Sequence, residues 1–412
     1  MNYKENTEQV LTVRSHILRN TQFNNWQSEI EGKWPYQKLY DDDDWRAGWI
    51  SFDAITWNEE EGCLYCGLNA MDGDLLYRFW PKENRFESLK AQKWADKFDS
   101  KVHRSLLRNP QNDCFYFGTS LLHDINQQHE APGGKLMQYN PKEDSYTLLA
   151  IPFPHLYIQS IAADFKRGKI YCFTYPAEFI ICYDIKTKEC QNLGYITNAT
   201  SFVQPHNGVV DGQGYLWGTY AETRAFDEVQ SKTPVRLFRY HPDNNKFDWF
   251  DFGLSRKSDE TQLIPDPIQG REINFHKDQT RHKEDLGFCD AMVFDGKRYI
   301  YAGTTAGTLC RIDTQNLNVE KVANVMPAGR LPALGFDKKG ILYGAGGIKG
   351  DTQLFKWNPK EEEISVMDKI EDEQGNVPAR IHDIAIDNNG TIYLAENDNH
   401  SRSSYLWSVN GF

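Results

Sequence analysis

Short apolar segments alternate with polar turns along the whole chain, and one pattern of segments recurs seven times. Each copy has an apolar strand, a turn with Asp or Asn and usually Gly, a second strand that ends near Gly or Ala, a loop, and a third strand. The copies begin at FDAITWNEEEGCLYCGL, VHRSLLRNPQNDCFYFGT, IQSIAADFKRGKIYCFTY, HNGVVDGQGYLWGTY, CDAMVFDGKRYIYAGT, PALGFDKKGILYGAG and HDIAIDNNGTIYLAE. Repeats of about 40 to 50 residues with four short strands each are typical of β-propeller blades.

The end of the chain indicates how such a ring would close. The seventh copy stops at SYLWSVNGF, after its third strand, so its fourth strand must come from elsewhere, and the first 50 residues are the obvious donor. The sequence therefore predicts one all-β domain over residues 1–412, a seven-bladed β-propeller closed by its N-terminal segment. The blades are expected to start near residues 51, 102, 158, 206, 289, 332 and 382, with residues 1–50 as closing strand and rim loop. Two packed β-sandwiches are the alternative, but the regular spacing argues against them.

Composition narrows the function classes. Aromatic residues make up 13% of the chain and the net charge is -12, without a basic block, so nucleic acid is a poor first guess. No run of about 18 apolar residues occurs, which predicts no membrane span. The N-terminal MNYKENTEQVL has no apolar core of a signal peptide, so the sequence alone indicates the cytoplasm. We expect a monomer.

The eight cysteines lie mostly in apolar strand-like segments such as DCFYFG and KIYCFTY. This placement favours buried reduced thiols that pack as small hydrophobic residues. Cys63 and Cys66 form a C-x-x-C pattern, but no second pair follows at zinc spacing.

A column of polar residues emerges when the blades are aligned on the turn that ends each first strand. Five positions before that turn, six of the seven residues are polar, the full set being Asp53, His103, Gln159, His206, Asp290, Pro332 and His382. First strands line the central channel of a propeller, so these side chains are expected to converge at its mouth. A polar lining can also be purely structural, because propeller channels hold water.

Several long loops are predicted on the same face as this column. The second blade carries Thr119 to Lys135, with His123 and His129, and the third carries Thr174 to Glu178, with Tyr175. The fourth carries Thr219 to Arg236, with Tyr220 and Arg224. Long loops on a rigid scaffold are where function tends to lie.

The residue types at this mouth favour one kind of chemistry. His103 heads the second inner strand and His123 lies in the loop above it, with Tyr175 on the next blade. Glycoside hydrolysis usually needs two carboxylates, which this set lacks. Histidine, tyrosine and arginine suit removal of a proton next to a carboxylate, where arginine binds the acid and a histidine or tyrosine takes the α-proton.

The sequence resembles seven-bladed polysaccharide lyases of the ulvan lyase kind. The resemblance is carried by KVHRSL with LLHD twenty residues later, by a tyrosine in the third blade and by HNGVVDGQGYLWGTY in the fourth. It implies β-elimination on a uronic-acid polysaccharide or oligosaccharide, which can be sulfated as ulvan is. The product would be a 4,5-unsaturated uronate. It also implies a periplasmic or secreted location for a chain whose signal had been removed.

The resemblance implies roles for particular residues. His103 and His123 become active-site residues and Tyr175 the candidate acid or base, with Tyr171 and Tyr220 as other tyrosines in the same neighbourhood. An arginine would clamp the carboxylate, Arg224 first by its loop placement, then Arg104 and Arg46. Gln159, His382 and Tyr220 are the further candidates for substrate binding. Strand alternation predicts that Arg104 points away from His103 and serves blade packing.

A structural zinc is predicted at the root of the long connection between the fourth and fifth blades. His206 and Cys289 start adjacent inner strands, and the connection contributes His276 and His282, a set of ligands that suits closed zinc sites. A buried cysteine with solvated histidines is the equally simple alternative. No organic cofactor is expected.

Two other functions also fit the sequence. A metal-dependent hydrolase or lactonase would need Asp53, Asp290 and His382 together on a central cation. A non-catalytic propeller would bind a glycan or a protein through its aromatic-rich face. Propellers host all three functions, so the fold alone does not separate them.

Overall fold

The computed structural model describes residues 11–23, 36–121, 125–197, 207–221, 235–254, 287–326, 329–348, 350–367, 369–399 and 401–412. Their strands form seven sheets, and consecutive inner strands such as β20 (Cys289–Phe294), β24 (Arg330–Phe336) and β28 (Ile381–Ile386) contact one another around a ring. Every pairing within a blade is antiparallel, as expected for strands joined by short turns. The predicted all-β seven-bladed propeller is confirmed.

Each blade has four main strands, ordered from the channel to the rim. Blade 1 has β2 (Ile50–Asn58), β3 (Cys63–Ala70), β4 (Leu76–Trp80) and β5 (Arg85–Ser88). Blade 2 has β7 (Leu106–Arg108), β8 (Phe115–Gly118), β10 (Leu136–Asn140) and β11 (Ser145–Ala150). Blade 3 has β12 (Tyr157–Asp164), β13 (Lys169–Tyr175), β14 (Phe179–Asp184) and β15 (Cys190–Tyr195). Blade 4 has β16 (Val209–Val210), β17 (Leu216–Ala221), β18 (Val235–His241) and β19 (Lys246–Trp249).

The remaining blades follow the same order. Blade 5 has β20, β21 (Tyr299–Thr304), β22 (Thr308–Asp313) and β23 (Val319–Asn324). Blade 6 has β24, β25 (Leu342–Ile348), β26 (Asp351–Asn358) and β27 (Glu363–Met367). Blade 7 has β28, β29 (Ile392–Glu396) and β30 (Leu406–Asn410), and its outermost strand is β1 (Thr12–His16). Two short strands, β6 (Asp99–Lys101) and β9 (Ser120–Leu121), extend the sheet of blade 1.

The N-terminal segment closes the ring, as the truncated seventh repeat predicts. β1 pairs antiparallel with β30 from Thr12↔Asn410 to His16↔Leu406, so the two ends of the chain share one blade. Two short helices follow, α1 (Tyr36–Asp41) and α2 (Asp43–Gly48). Single 3₁₀ turns lie at Ala91–Lys93 and Ile125–Gln127. Among the described residues, no helix has the length and apolar character needed to cross a membrane.

Glycines on second strands let neighbouring blades approach closely. A Cβ at Gly118 would lie 2.4 Å from Cγ2 of Ile158, and one at Gly303 would lie 2.3 Å from the carbonyl oxygen of Leu331. Both contacts join the second strand of one blade to the inner strand of the next. Because real Cβ atoms do not approach so closely, the recurring glycine of the repeat is a requirement of blade packing.

The cysteines lie where their apolar segments place them. All eight are free thiols, and seven of them are buried while Cys190 is exposed. Cys63 and Cys66 both belong to β3 within the core of blade 1. Burial raises the pKa of the Cys66 thiol well above its usual value, which keeps this sulfur neutral.

His16 forms a buried polar contact at the ring closure. Its Nδ1 lies 2.6 Å from Oδ1 of Asn84 and its Nε2 lies 2.9 Å from Oγ of Ser408. An amide oxygen only accepts, so Nδ1 donates to Asn84 and Nε2 of the neutral ring accepts from the Ser408 hydroxyl. Burial lowers the pKa of His16 below its usual value, against the opposing effect of the Asn84 hydrogen bond.

We expect this contact to weaken as the pH falls. Because the pKa is lower in the folded state, the unfolded chain takes up the proton first, and stability is lost below the unfolded pKa of about 6.5, by at most about 1.4 kcal/mol per pH unit. The measurement is urea unfolding of the wild type and of His16→Gln at pH values of about 7.5 and 5.5. The stability advantage of the wild type should shrink at the lower pH, and an advantage that stays constant would contradict this assignment.

Candidate functional site at the channel mouth

A recurrent β-bulge presents the polar column to the channel. The register of the inner strand shifts by one residue at Asp53, Gln159, Asp290 and His382, and across Leu331–Pro332 in the sixth blade. A bulged residue has no direct partner on the neighbouring strand, so its side chain can be directed away from the blade. The column predicted from the repeat is therefore a ring of bulged residues in five of the blades.

Two histidines of the column lie side by side at the channel mouth. The rings of His103 and His382 are 4.8 Å apart and both residues are buried. Nδ1 of His103 lies 2.7 Å from the backbone oxygen of Gln159, and since a carbonyl only accepts, Nδ1 carries a proton. Nε2 is then the basic nitrogen of a neutral His103.

The two column carboxylates are each paired with a cation. Asp53 lies 3.1 Å from Nζ of Lys101, and Asp290 receives two hydrogen bonds from Arg330, from Nε at 2.6 Å and from Nη2 at 2.5 Å. Burial raises the pKa of Asp53, although the neighbouring Lys101 charge opposes this shift. These partners occupy the carboxylates that a central cation would need in a hydrolase or lactonase.

A cavity of about 140 Å³ opens above these pairs. Its lining includes Lys101, His103, Arg330, Arg380 and His382. The paired carboxylates Asp53 and Asp290 are fully buried and do not line it, and Arg380 lies 3.7 Å from Asp398. The lining therefore combines three cationic side chains and two imidazoles with one carboxylate, Asp398, and each cation already has a carboxylate partner. An anionic group would compete with these partners for the cations beside the histidine base.

Arg104 lies inside the channel, and the prediction that it points into blade packing is wrong. Its backbone has a φ of 43°, in the left-handed region, so the alternation of a regular strand does not apply. The guanidinium is buried and reaches the opposite blades, where Nε donates to Nε2 of His382 at 3.0 Å and Nη1 donates to the Pro332 oxygen at 3.1 Å. Nη2 lies 3.4 Å from Oδ1 of Asp290.

A second cavity of about 360 Å³ lies on the other side of Arg104. Its wall is about equally polar and apolar: Ile55, Leu106 and Ile161 are among the apolar residues, and Asp383 adds a carboxyl group. Burial raises the pKa of Asp383 to about 6, although the backbone N–H of Ile55, which donates to it at 2.8 Å, opposes the shift. Arg104 lies in the wall of this second cavity, and His382 and Pro332 line both cavities.

The other predicted binding residues are spread over different positions. Tyr175 ends β13 with its ring 5.4 Å from that of Tyr157, and burial raises its pKa, so it is a neutral phenol. The Tyr220 hydroxyl donates to the oxygen of Phe250 at 2.8 Å, beside the outer strand of blade 4. Arg46 donates to the oxygen of Tyr40 and pairs with Asp43 on its own helix. None of these three is among the described residues that line the mouth cavity.

Several predicted residues lie outside the described part of the chain. They are His123, Arg224, His206, His276 and His282. Cys289, the remaining candidate zinc ligand, is buried and donates to the oxygen of Ala291 at 3.3 Å. Burial raises its pKa to about 12, whereas zinc binds the thiolate. The described residues contain no cluster of three possible metal ligands, and zinc stays a prediction.

Three cations at the mouth were missed by the sequence interpretation. Lys101, Arg330 and Arg380 each stand two positions before the column residues of blades 2, 6 and 7. Side chains two positions apart on an extended chain face the same way. The same alignment of the repeats, read two positions before the column, could therefore have found these cations.

Comparisons with known proteins show the propeller fold and no family. No protein-family model matches the chain, and no curated protein matches it. The chain is similar to the structure of streptogramin B lyase, with a TM-score of 0.59, 12% identity and 97% of each chain covered. It is also similar to the extracellular domain of the one-component system BT4673 from B. thetaiotaomicron, with a TM-score of 0.51 and 12% identity. That match covers 87% of this chain but only 38% of the other.

Proposed function

We propose that this protein is a lyase that cleaves a uronic-acid-containing polysaccharide or oligosaccharide by β-elimination at the channel mouth. The observation that carries the proposal is the cavity of about 140 Å³ in which His103 lies among Lys101, Arg330 and Arg380. A uronate needs a cationic partner for its carboxylate and a base near the adjacent carbon. The described lining offers a base and three cations within one small space, together with the carboxylate of Asp398, which pairs with Arg380.

The reaction can be written with these residues in named roles. The cations bind the carboxylate and stabilise the negative charge that develops on it when the proton on C5 is removed. Nε2 of His103 takes that proton, the electron pair forms the C4–C5 double bond, and the bond from C4 to the glycosidic oxygen breaks. The departing oxygen takes a proton from solvent water. Tyr175, the acid that the resemblance implies, does not line the mouth cavity and has no role in this scheme.

One of the two structural neighbours is named a lyase, and the name of the other indicates no activity. At 12% identity that likeness concerns architecture, so the substrate class proposed here rests on the mouth residues.

The direct test is incubation with ulvan, pectin, alginate and glycosaminoglycans while the absorbance of the unsaturated uronate is followed. A rise on at least one polymer, abolished in a variant of the mouth, supports the proposal. Binding of a uronic-acid polymer without any rise would replace it with a non-catalytic glycan-binding propeller. Neither binding nor product on the whole panel would remove the uronate substrate class.

Arg380→Gln is expected to weaken substrate use without unfolding the protein. Arg380 lines the cavity, and its Nη1 lies 3.7 Å from the Asp398 carboxylate, which is longer than a hydrogen bond. The guanidinium can therefore turn to bind a substrate carboxylate. Loss of one charged hydrogen bond costs about 1.5–3 kcal/mol, which corresponds to a decrease of about 10- to 100-fold in kcat/KM. Arg85→Gln is the matched control, because Arg85 pairs with Glu83 on the outer strand of blade 1. Equal effects of the two substitutions would contradict a carboxylate-binding role for Arg380.

A further inference from the structure

The guanidinium of Arg104 connects blade 2 to three blades across the channel. It contacts His382 of blade 7 through Nε, Pro332 of blade 6 through Nη1, and Asp290 of blade 5 through Nη1 and Nη2. Only 3% of its side chain is exposed. A substrate in the mouth cavity does not need to touch Arg104, since His103 and His382 lie at the cavity wall. Any role of Arg104 in the chemistry is therefore exerted through these neighbours.

The contact with His382 determines where that histidine carries its proton. A guanidinium has five N–H donors and no acceptor, so Nε of Arg104 can only donate. Nε2 of His382, 3.0 Å away, must accept and holds no proton. A neutral imidazole has one proton, which is then on Nδ1. Nδ1 lies 3.3 Å from both the backbone oxygen and Oδ1 of Asp53, which can receive it.

The two histidines at the mouth therefore differ in how readily each can take up a proton. Their rings are only 4.8 Å apart, so a proton taken up by one would repel a proton on the other. On His382 the basic nitrogen is engaged by a cation, which opposes protonation there. On His103 it is Nδ1 that is engaged, as a donor to Gln159, and Nε2 is the nitrogen with the lone pair.

We propose that Arg104 is a positioning residue that holds His382 as the neutral tautomer protonated on Nδ1, so that proton uptake at the mouth falls to His103. The division of labour between the histidines rests on the proposed lyase function, whereas the tautomer of His382 does not. Arg104 contacts no substrate in this scheme and acts only through His382. Its substitution should consequently change turnover more than substrate binding.

The tautomer can be measured directly in the full-length wild-type protein. Histidine labelled with ¹⁵N gives distinct long-range ¹H–¹⁵N correlation patterns for rings protonated on Nδ1, on Nε2 or on both. The chain has 11 histidines, and the signals of His382 are identified by their loss in His382→Gln. We expect the Nδ1–H pattern at neutral pH. An Nε2–H or doubly protonated His382 would overturn the proposal, whether or not any variant of Arg104 folds.

Arg104→Met tests whether Arg104 is the cause. Methionine removes the donor while Asp290 keeps its two bonds from Arg330. We expect His382 to lose the single Nδ1–H pattern and kcat to fall about 10- to 100-fold with little change in KM, an effect of the size found when residues that orient metal-bound histidines are replaced. Arg108→Gln is the control, because Arg108 ends β7, the strand that follows Arg104, and pairs with Asp113 and Glu60.

The two proposals fail in different ways. An unchanged Nδ1–H pattern in folded Arg104→Met would remove Arg104 as the cause of the tautomer. A changed pattern with unchanged kcat would remove the division of labour. Absence of lyase product with any uronic-acid polymer would refute the proposed function while the ¹⁵N measurement still decided the role of Arg104.

Discussion

Asp290→Ala is expected to destabilise the protein by about 3–5 kcal/mol, the usual cost of removing one partner from a buried ion pair. Asp290 is fully buried and binds Arg330 through two hydrogen bonds, and Arg104 lies 3.4 Å from its Oδ1. Its removal leaves two guanidinium groups facing each other across the channel without a carboxylate between them. The measurement is the free energy of unfolding from urea denaturation.

Two further variants give this prediction its controls. Glu320→Ala breaks an exposed pair with Arg311 and should cost no more than about 1 kcal/mol. Asp290→Ala combined with Arg330→Met removes one of the two uncompensated charges and should recover part of the lost stability. If the free energy of unfolding of Asp290→Ala lies within about 1 kcal/mol of the wild-type value, the channel arginines are stabilised by solvent and do not need the Asp290 carboxylate.

His103→Gln is expected to reduce kcat by a factor of about 10² to 10⁴, the usual contribution of a general base. Glutamine can still donate a hydrogen bond toward the Gln159 oxygen that now accepts from Nδ1, so the local structure should be retained. It cannot accept the substrate proton. Initial rates of unsaturated uronate formation measure the effect, and the thermal unfolding temperature reports whether the fold is intact.

His129→Gln serves as the histidine control, because His129 is exposed in the loop of blade 2. Its rate should equal that of the wild type. More than a tenth of the wild-type kcat in folded His103→Gln would assign proton removal to another residue. His382→Gln is the next variant to test in that case, since its ring is the neighbour of His103.

The architecture could be predicted because the signals that define each blade lie close together in the sequence. A turn with Asp and Gly, an aromatic strand end and a missing last strand are local signals, and they correctly predicted the seven sheets and the pairing of β1 with β30. The column of channel residues followed from the same alignment. Counting five residues back from the turn that ends each inner strand finds the bulged residue, because the bulge recurs at the same position in several blades.

The orientation of Arg104 could not be predicted from strand alternation. A positive φ at a residue other than glycine is uncommon, and no local signal in HRSLL indicates one. The conformation depends on acceptors from blades 5, 6 and 7, which lie some 180 to 280 residues later in the chain. Pairings that depend on distant partners, such as Asp290 with Arg330, are likewise invisible to a reading of one repeat at a time.

The bulges also bear on how such a molecule can be altered. Because a bulged residue lies outside the register of the ladder, exchanging its side chain leaves the paired hydrogen bonds of the blade in place. Bulged positions such as Gln159 can therefore take new side chains with little penalty to the sheet. The bulged residues Asp290 and His382 are different, because their side chains bind Arg330 and Arg104. A library confined to such positions would sample new channel chemistries on an unchanged scaffold, which makes the ring a practical starting point for redesign.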